Sequence, residues 1–156
     1  MTNLWNNLDV SIQLLALPEF KLKLKEELKP HKFRHFSKGS KIGNRLLTRL
    51  RLERSDLNLH KFTIGQLETP ECLCHSKQES LQHFLLDCLL YASERQTLFD
   101  RVEHFIPKFK SFSKFKKYET LVMGINPKDP YFYTTNTTIS IAVQTFIMKT
   151  KRFSDF

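Results

Sequence analysis

This chain of 156 residues is poor in glycine, with four, and has no cysteine outside one short stretch. Scarce glycine beside fourteen phenylalanines disfavours a turn-rich all-β protein and predicts a packed, mainly helical body. No stretch reaches the eighteen or more apolar residues of a membrane span. The longest candidate, Ile139 to Met148, is interrupted by Ser140, Gln144 and Thr145. The first residues hold Trp5, Asn6, Asn7 and Asp9 where a secretory signal needs an apolar run, so the expected setting is intracellular. No Asp-Asp pair is present, which disfavours a two-metal polymerase centre. The acidic residues Asp87, Asp100, Glu94 and Glu103 fall at helical surface spacings and read as solvated charges.

The three cysteines all fall between positions 72 and 88, together with His75 and His83. Their spacing is C-x-C-x8-H-x4-C, and Cys72, Cys74, His83 and Cys88 form a plausible tetrahedral shell for one structural zinc ion. Such a closed Cys3His set leaves no position for water or substrate, so no catalysis is expected from it. His75 is the alternative imidazole, but it follows Cys74 directly and is poorly placed to share a metal with it. A Cys88 nucleophile with His83 as base is the competing enzymatic reading, and it leaves Cys72 and Cys74 unexplained. Three unrelated thiols are the plainest alternative. A disulfide is disfavoured by the odd number and by a reducing compartment.

Charge is the second signal. The formal net charge is +9. From Lys21 to Lys61, thirteen Lys and Arg face Glu26, Glu27, Glu53 and Asp56, so that segment carries the whole excess. A concentrated basic region attracts polyanions, with nucleic acid the leading candidate, although a solvated helix face has the same composition. Lys41, Arg45 and Arg49 recur every four residues on one side of a predicted helix, with Arg51 and Arg54 nearby. The other side carries Ile42, Leu46, Leu47 and Leu50, and Ser40 is its predicted cap. Lys108, Lys110 and Lys114 alternate with Phe109, Phe112 and Phe115, which are either stacking aromatics or one apolar helix face.

Further helices are expected after Pro18, from Ser76 with Glu79 as a capping box to about Asp87, and from Ser93 with Gln96 as a second box through Phe105. A short one spans Tyr118 to Met123 before Gly124, and the last is capped by Asn136 or Thr137. Tyr131 to Tyr133 is a candidate short strand, and 63–74 reads as loop.

These residues carry a family resemblance. The run Thr48-Arg49-Leu50-Arg51, then Cys72, Cys74, Glu79, His83-Phe84, Cys88, Tyr91 and Arg95, resembles the C-terminal region of LINE-type (non-LTR) retrotransposon polyproteins. There a "TRLR" helix leads into a "CxCG … ETxxHFxxxCPxYxxxR" zinc knuckle. The flanks resemble it too, through Leu4-Trp5-Asn6-Asn7-Leu8 with Phe20-Lys21, and through Phe146-Ile147 with Thr150-Lys151-Arg152-Phe153. Departures are Asp9 for Pro, His75 for Gly, Ser80 for Thr and Leu89 for Pro. None removes a proposed ligand, and together they allow a decayed copy.

The resemblance implies a non-catalytic module downstream of a reverse transcriptase domain, its natural partner along with RNA or DNA. Segment 1–30 then corresponds to the post-polymerase flank and 31–156 to a basic helical zinc-knuckle domain, the two forming one continuous domain. Two roles follow. One is holding template RNA or target DNA, through Lys41, Arg45, Arg49, Arg51, Arg54, Lys108, Lys110 and Lys114. The other is a scaffold packed on the polymerase.

Overall fold

A computed structural model describes residues 38–126 and 128–153, all within one compact unit, His35–Phe156. The segment 1–30, with the expected helix after Pro18, lies outside the described residues. The described residues are mainly helical and contain no strand beyond one isolated antiparallel bridge, Glu71 to Gln78. Helix α1 spans Lys41–Arg51 and α2 spans Asn58–Thr63. A one-turn π-helix follows at His83–Asp87, then α3 at Ala92–Phe105, α4 at Lys114–Met123 and α5 at Phe132–Lys149.

Helix α5 is the central element, and α3 and α1 pack along it. Its expected apolar positions Ile139, Ala142, Val143, Phe146 and Ile147 are all buried. It begins earlier than the Asn136 cap predicted from sequence, taking in Phe132 and Tyr133 where a strand was the alternative. Asn136 lies inside it instead, accepting a 2.7 Å hydrogen bond from the Ile125 amide. Gly124, at φ 87, stands against that side chain, and a Cβ there would lie 2.2 Å from Asn136 Oδ1. Glycine is therefore required twice over, by its left-handed backbone and by lack of space.

Helix α1 starts as its sequence predicts, with Ser40 Oγ accepting from the Gly43 amide at 2.9 Å. Leu46, Leu47 and Leu50 are buried, whereas Ile42 is 44% exposed and falls off the apolar stripe. Gly43 allows a close approach to α5: a Cβ there would meet Gln144 Oε1 at 2.6 Å. Gln144, which interrupts the apolar run, is itself buried and donates to the Lys38 carbonyl at 2.8 Å and to Asn44 Oδ1 at 2.9 Å. A polar side chain in the core thus ties two helices together, its donor matched as burial requires.

Neither predicted capping box forms. The turn before Asp87 is capped by Ser80, whose Oγ accepts from the His83 amide at 3.1 Å. Ser93 lies within α3, which has no side-chain cap. Phe105 closes α3 at 48% exposure rather than in the core. Helix α4 begins four residues before the predicted Tyr118, because Ser113 accepts from the Lys116 amide at 3.3 Å. The expected break at Gly124 is where it ends.

Glu79, released from its predicted capping role, is 1% exposed and is the most connected carboxylate described. Arg152 Nε and Nη2 donate to its two oxygens at 2.7 and 2.6 Å. The Asn58 amide donates to Oε2 at 2.7 Å, so the carboxylate also caps the start of α2. Arg152 Nη2 reaches further, to the Asp56 carbonyl at 3.1 Å and Asn58 Oδ1 at 2.9 Å. Below this knot Phe84, fully buried, meets Tyr91, Phe146 and Phe153 at ring-centroid distances of 5.2, 5.2 and 5.6 Å. Full burial of one such ring contributes about 1.5–3 kcal/mol.

Candidate metal centre

The loop before the π turn folds back on itself. The Glu79 amide donates to the Pro70 carbonyl at 2.8 Å, and the Cys72 amide to the Lys77 carbonyl at 2.9 Å. At the tip the His75 amide donates to the Cys72 carbonyl at 2.8 Å. This places Cys72 inward and Cys74 half-buried on the same side. His75 occupies the left-handed region at φ 55 and points to solvent. That is the backbone which glycine adopts without strain and histidine does not. His75 is absent from the cluster of metal-competent side chains, which consists of Cys72, Cys74, His83 and Cys88.

Their ligand atoms all lie within 4.8 Å of one another. Cys72 Sγ is 3.5 Å from Cys88 Sγ, and Cys74 Sγ is 3.2 Å from His83 Nε2. A tetrahedral shell with sulfur at about 2.3 Å and nitrogen at about 2.0 Å has edges of roughly 3.8 Å between sulfurs and roughly 3.6 Å from sulfur to nitrogen. These two separations lie within about 0.4 Å of those edges, and the bound of 4.8 Å on the rest exceeds them by about 1 Å, so the four atoms are near the size of one metal shell. The cysteines are free thiols, as the sulfur separation requires. The π turn brings the last two together: the Cys88 amide donates to the His83 carbonyl, five residues back, at 2.8 Å.

The thiols differ in acidity. Burial pushes Cys72 up to about 12 and also raises Cys88. Cys74 is held down at about 6, first by the Ser76 hydroxyl, whose Oγ lies 3.0 Å from its sulfur. His83 is 3% exposed, and its Nδ1 has no hydrogen-bond partner. Arg95, 9% exposed, likewise keeps Nη1 without a partner; burial lowers its pKa, while the charges of Cys88 and Asp87 oppose that shift.

The basic residues expected at a nucleic-acid surface divide into two kinds. Lys41, Arg45 and Arg54 are exposed. Arg49 is half-buried and pairs with Asp56 at 3.0 Å, while its Nε donates to the Arg54 carbonyl at 3.1 Å. Arg51 donates through Nε to the Val122 carbonyl at 2.6 Å, and burial lowers it to about 10. These two arginines join α1 to its surroundings. Lys108 and Lys110 are exposed around the one-turn helix Phe109–Ser111. There Glu103, far from being merely solvated, accepts from the Lys108 and Lys110 amides at 2.9 and 2.6 Å. Asp100 pairs with the Lys110 ammonium, and Asp87 with Lys114 at 2.6 Å.

Two of the three phenylalanines pack together, Phe109 and Phe112 at a ring-centroid distance of 5.8 Å, and only Phe115 departs. Phe109 is fully buried against Phe99, Phe112 is half-buried, and Phe115 is 72% exposed. The residues that sequence reasoning missed are Arg152 and Ser76. The partner of Arg152 lies 73 positions away, so no local spacing announces it, whereas Ser76 stands two residues after Cys74 and reads from sequence as a helix cap.

No family model, curated protein or solved structure matches the chain. Among the described residues no helix is long and apolar enough to cross a membrane.

Proposed function

We propose that the chain is a zinc-stabilised, nucleic-acid-binding module of the LINE-type reverse transcriptase C-terminal region, without catalytic activity of its own. The observation that carries the reading is the approach of Cys72, Cys74, His83 and Cys88 to within one metal shell. Three thiolates and an imidazole suit zinc among the common divalent ions. The shell is closed, so the metal holds the loop to the π turn and leaves no site for a substrate. The convergence of the resemblance-bearing segments also supports it. Glu79 binds Arg152, and Phe84 packs on Phe153, although these pairs come from distant parts of the chain. Exposed Lys41, Arg45 and Arg54 supply phosphate contacts on this reading, while Arg49 and Arg51 shape the surface behind them.

The test combines elemental analysis with oligonucleotide titration at several salt concentrations. One zinc per chain is expected, lost in Cys74→Ser and kept in His75→Ala. Each phosphate contact contributes about −0.7 to the slope of log K against log salt for single strands, so Lys41→Ala with Arg45→Ala should flatten it by about 1.4. Zinc-free wild-type protein refutes the metal centre, and no binding at low salt refutes the nucleic-acid role. A second reading, a scaffold packed on the polymerase, draws support from Leu73, Leu89 and Leu90. They flank the metal cluster in sequence and are 64%, 72% and 52% exposed. Tight association with the polymerase domain, without oligonucleotide affinity, would select it.

A further inference from the structure

A polar groove of about 370 Å³ opens between the metal loop, the π turn and the first turn of α4. Lys77 and Gln78 come from the loop, Gln82, His83 and Asp87 from the turn, and Lys114 from α4. Ser80 completes the lining, whose charged groups are mainly cationic. Two ammonium groups and two amides offer many N–H donors. His83 lines the groove as well, and committing its Nε2 to a metal would leave the proton on Nδ1. That nitrogen is buried with no partner, an arrangement that costs about 1–3 kcal/mol until an acceptor is found. Against these donors stands one charged acceptor, Asp87, already engaged by Lys114.

Charge points the same way. A divalent ion with three thiolates carries one net negative charge, and buried Arg95, within the field of Cys88 and Asp87, offsets it. Lys77 and Lys114 against Asp87 then leave the groove positive. Beside Lys114, Phe115 holds its ring 72% exposed in the first turn of α4, followed by Lys116 and Lys117. An exposed aromatic among cations is the surface that takes an unpaired base, since bases in a duplex have their faces covered.

We propose that this groove seats a phosphate group of a single-stranded nucleic acid. Lys77 and Lys114 clamp the phosphate, His83 Nδ1–H donates from the floor, and Phe115 stacks the neighbouring base. Lys114 exchanges Asp87 for the phosphate on binding. The assignment rests on the nucleic-acid reading above and gives that reading a second surface, distinct from Lys41 and Arg45.

The test uses the full zinc-loaded chain, an eight-nucleotide oligouridine and, separately, inorganic phosphate. Lys77→Gln with Lys114→Gln should flatten the salt slope by about 1.4, the share of two contacts. Phe115→Ala should weaken binding about 5- to 150-fold with the slope unchanged, as loss of one stacked base does. Asp87→Asn should tighten binding about two- to fivefold, the effect of one exposed charge. A lysine pair that merely stabilised the fold would not produce that gain. The His83 Nδ1 nitrogen resonance should move on adding oligouridine, and circular dichroism should show each variant folded. Wild-type binding with an unmoved His83 resonance, and a slope unaffected by the lysine pair, overturns the groove and leaves the nucleic-acid reading standing. No oligouridine binding at low salt overturns both. A response to inorganic phosphate with none to oligouridine overturns the strand assignment.

Discussion

Removing Arg152 should be among the most damaging single changes in the described chain. The Glu79 carboxylate is 1% exposed and accepts three hydrogen bonds between 2.6 and 2.7 Å, two of them from Arg152. Arg152→Ala takes away both charged donors and leaves a buried anion facing only the Asn58 amide. Breaking one partner of a buried pair costs about 3–5 kcal/mol, mostly the penalty of the stranded charge. Glu79→Ala should cost less, because the Arg152 side chain retains 15% exposure and can turn towards water. Removing both together, as Glu79→Met with Arg152→Met, should cost less than the sum of the single changes, since no charge is then stranded. The coupling should therefore reach about 2–3 kcal/mol. A domain of this size loses about 3–4 °C in Tm per kcal/mol, so Arg152→Ala should melt roughly 10–20 °C early. The assay is urea unfolding of the zinc-loaded proteins, followed by circular dichroism, in a double-mutant cycle. A loss below about 1 kcal/mol for Arg152→Ala, or additivity of the two single changes, refutes the reasoning.

Zinc binding at pH 7.5 should release two protons, because Cys72 and Cys88 are raised and protonated whereas Cys74, near 6, is already a thiolate. Affinity should therefore climb about a hundredfold per pH unit between roughly pH 7 and 9, measured by competition with a chelator, and a slope of three decades would contradict the assignment. In the metal-free chain the folded-state values of Cys72 and Tyr91, both pushed up to about 12 chiefly by burial, lie above their unfolded values. Their contribution to stability is complete below the unfolded values and is lost as pH rises towards 12, so melting scans should show a falling Tm above about pH 9. Arg95→Gln should weaken zinc about 10- to 100-fold by chelator competition, since it removes the cation that offsets the thiolates; an unchanged affinity would rule out that role. His75→Gly should stabilise the zinc-loaded chain by about 0.5–1 kcal/mol in urea unfolding by relieving its left-handed backbone, and a loss would show that the imidazole has a contact of its own.

The readable part of the sequence is its local part. Ser40 sits three residues before the Gly43 amide it caps, Gly124 ends α4, and the apolar stripe of α5 has helical period, so each is legible within a few positions. The four cluster residues were legible for the same reason, being the only cysteines and a nearby histidine. What the sequence concealed is non-local. Glu79 stands three residues after Ser76, the spacing of a capping box, yet its carboxylate bonds a residue 73 positions away. Arg49 and Arg51 read as surface cations because helical period cannot reveal that Asp56 and the Val122 carbonyl meet them. Phe109, Phe112 and Phe115 recur every third residue, but the chain leaves one short helix and enters another between them, so Phe115 parts from the packed pair Phe109 and Phe112.

The π turn makes the metal centre a gauge of chain length. In an α-helix each residue advances about 100°, so a residue five places on lies roughly 140° around the axis from the first. His83 and Cys88 have that separation, and only the widened turn returns the second towards the first. Deleting one residue between them gives a four-residue spacing, which an ordinary α turn already brings onto one face. Inserting one gives a spacing that neither turn can close. Among engineered variants of this sequence, the interval from 83 to 88 should therefore tolerate substitution and shortening by one, but not lengthening, while the stretch from Thr63 to Pro70, with no ligand to aim, should vary freely in length.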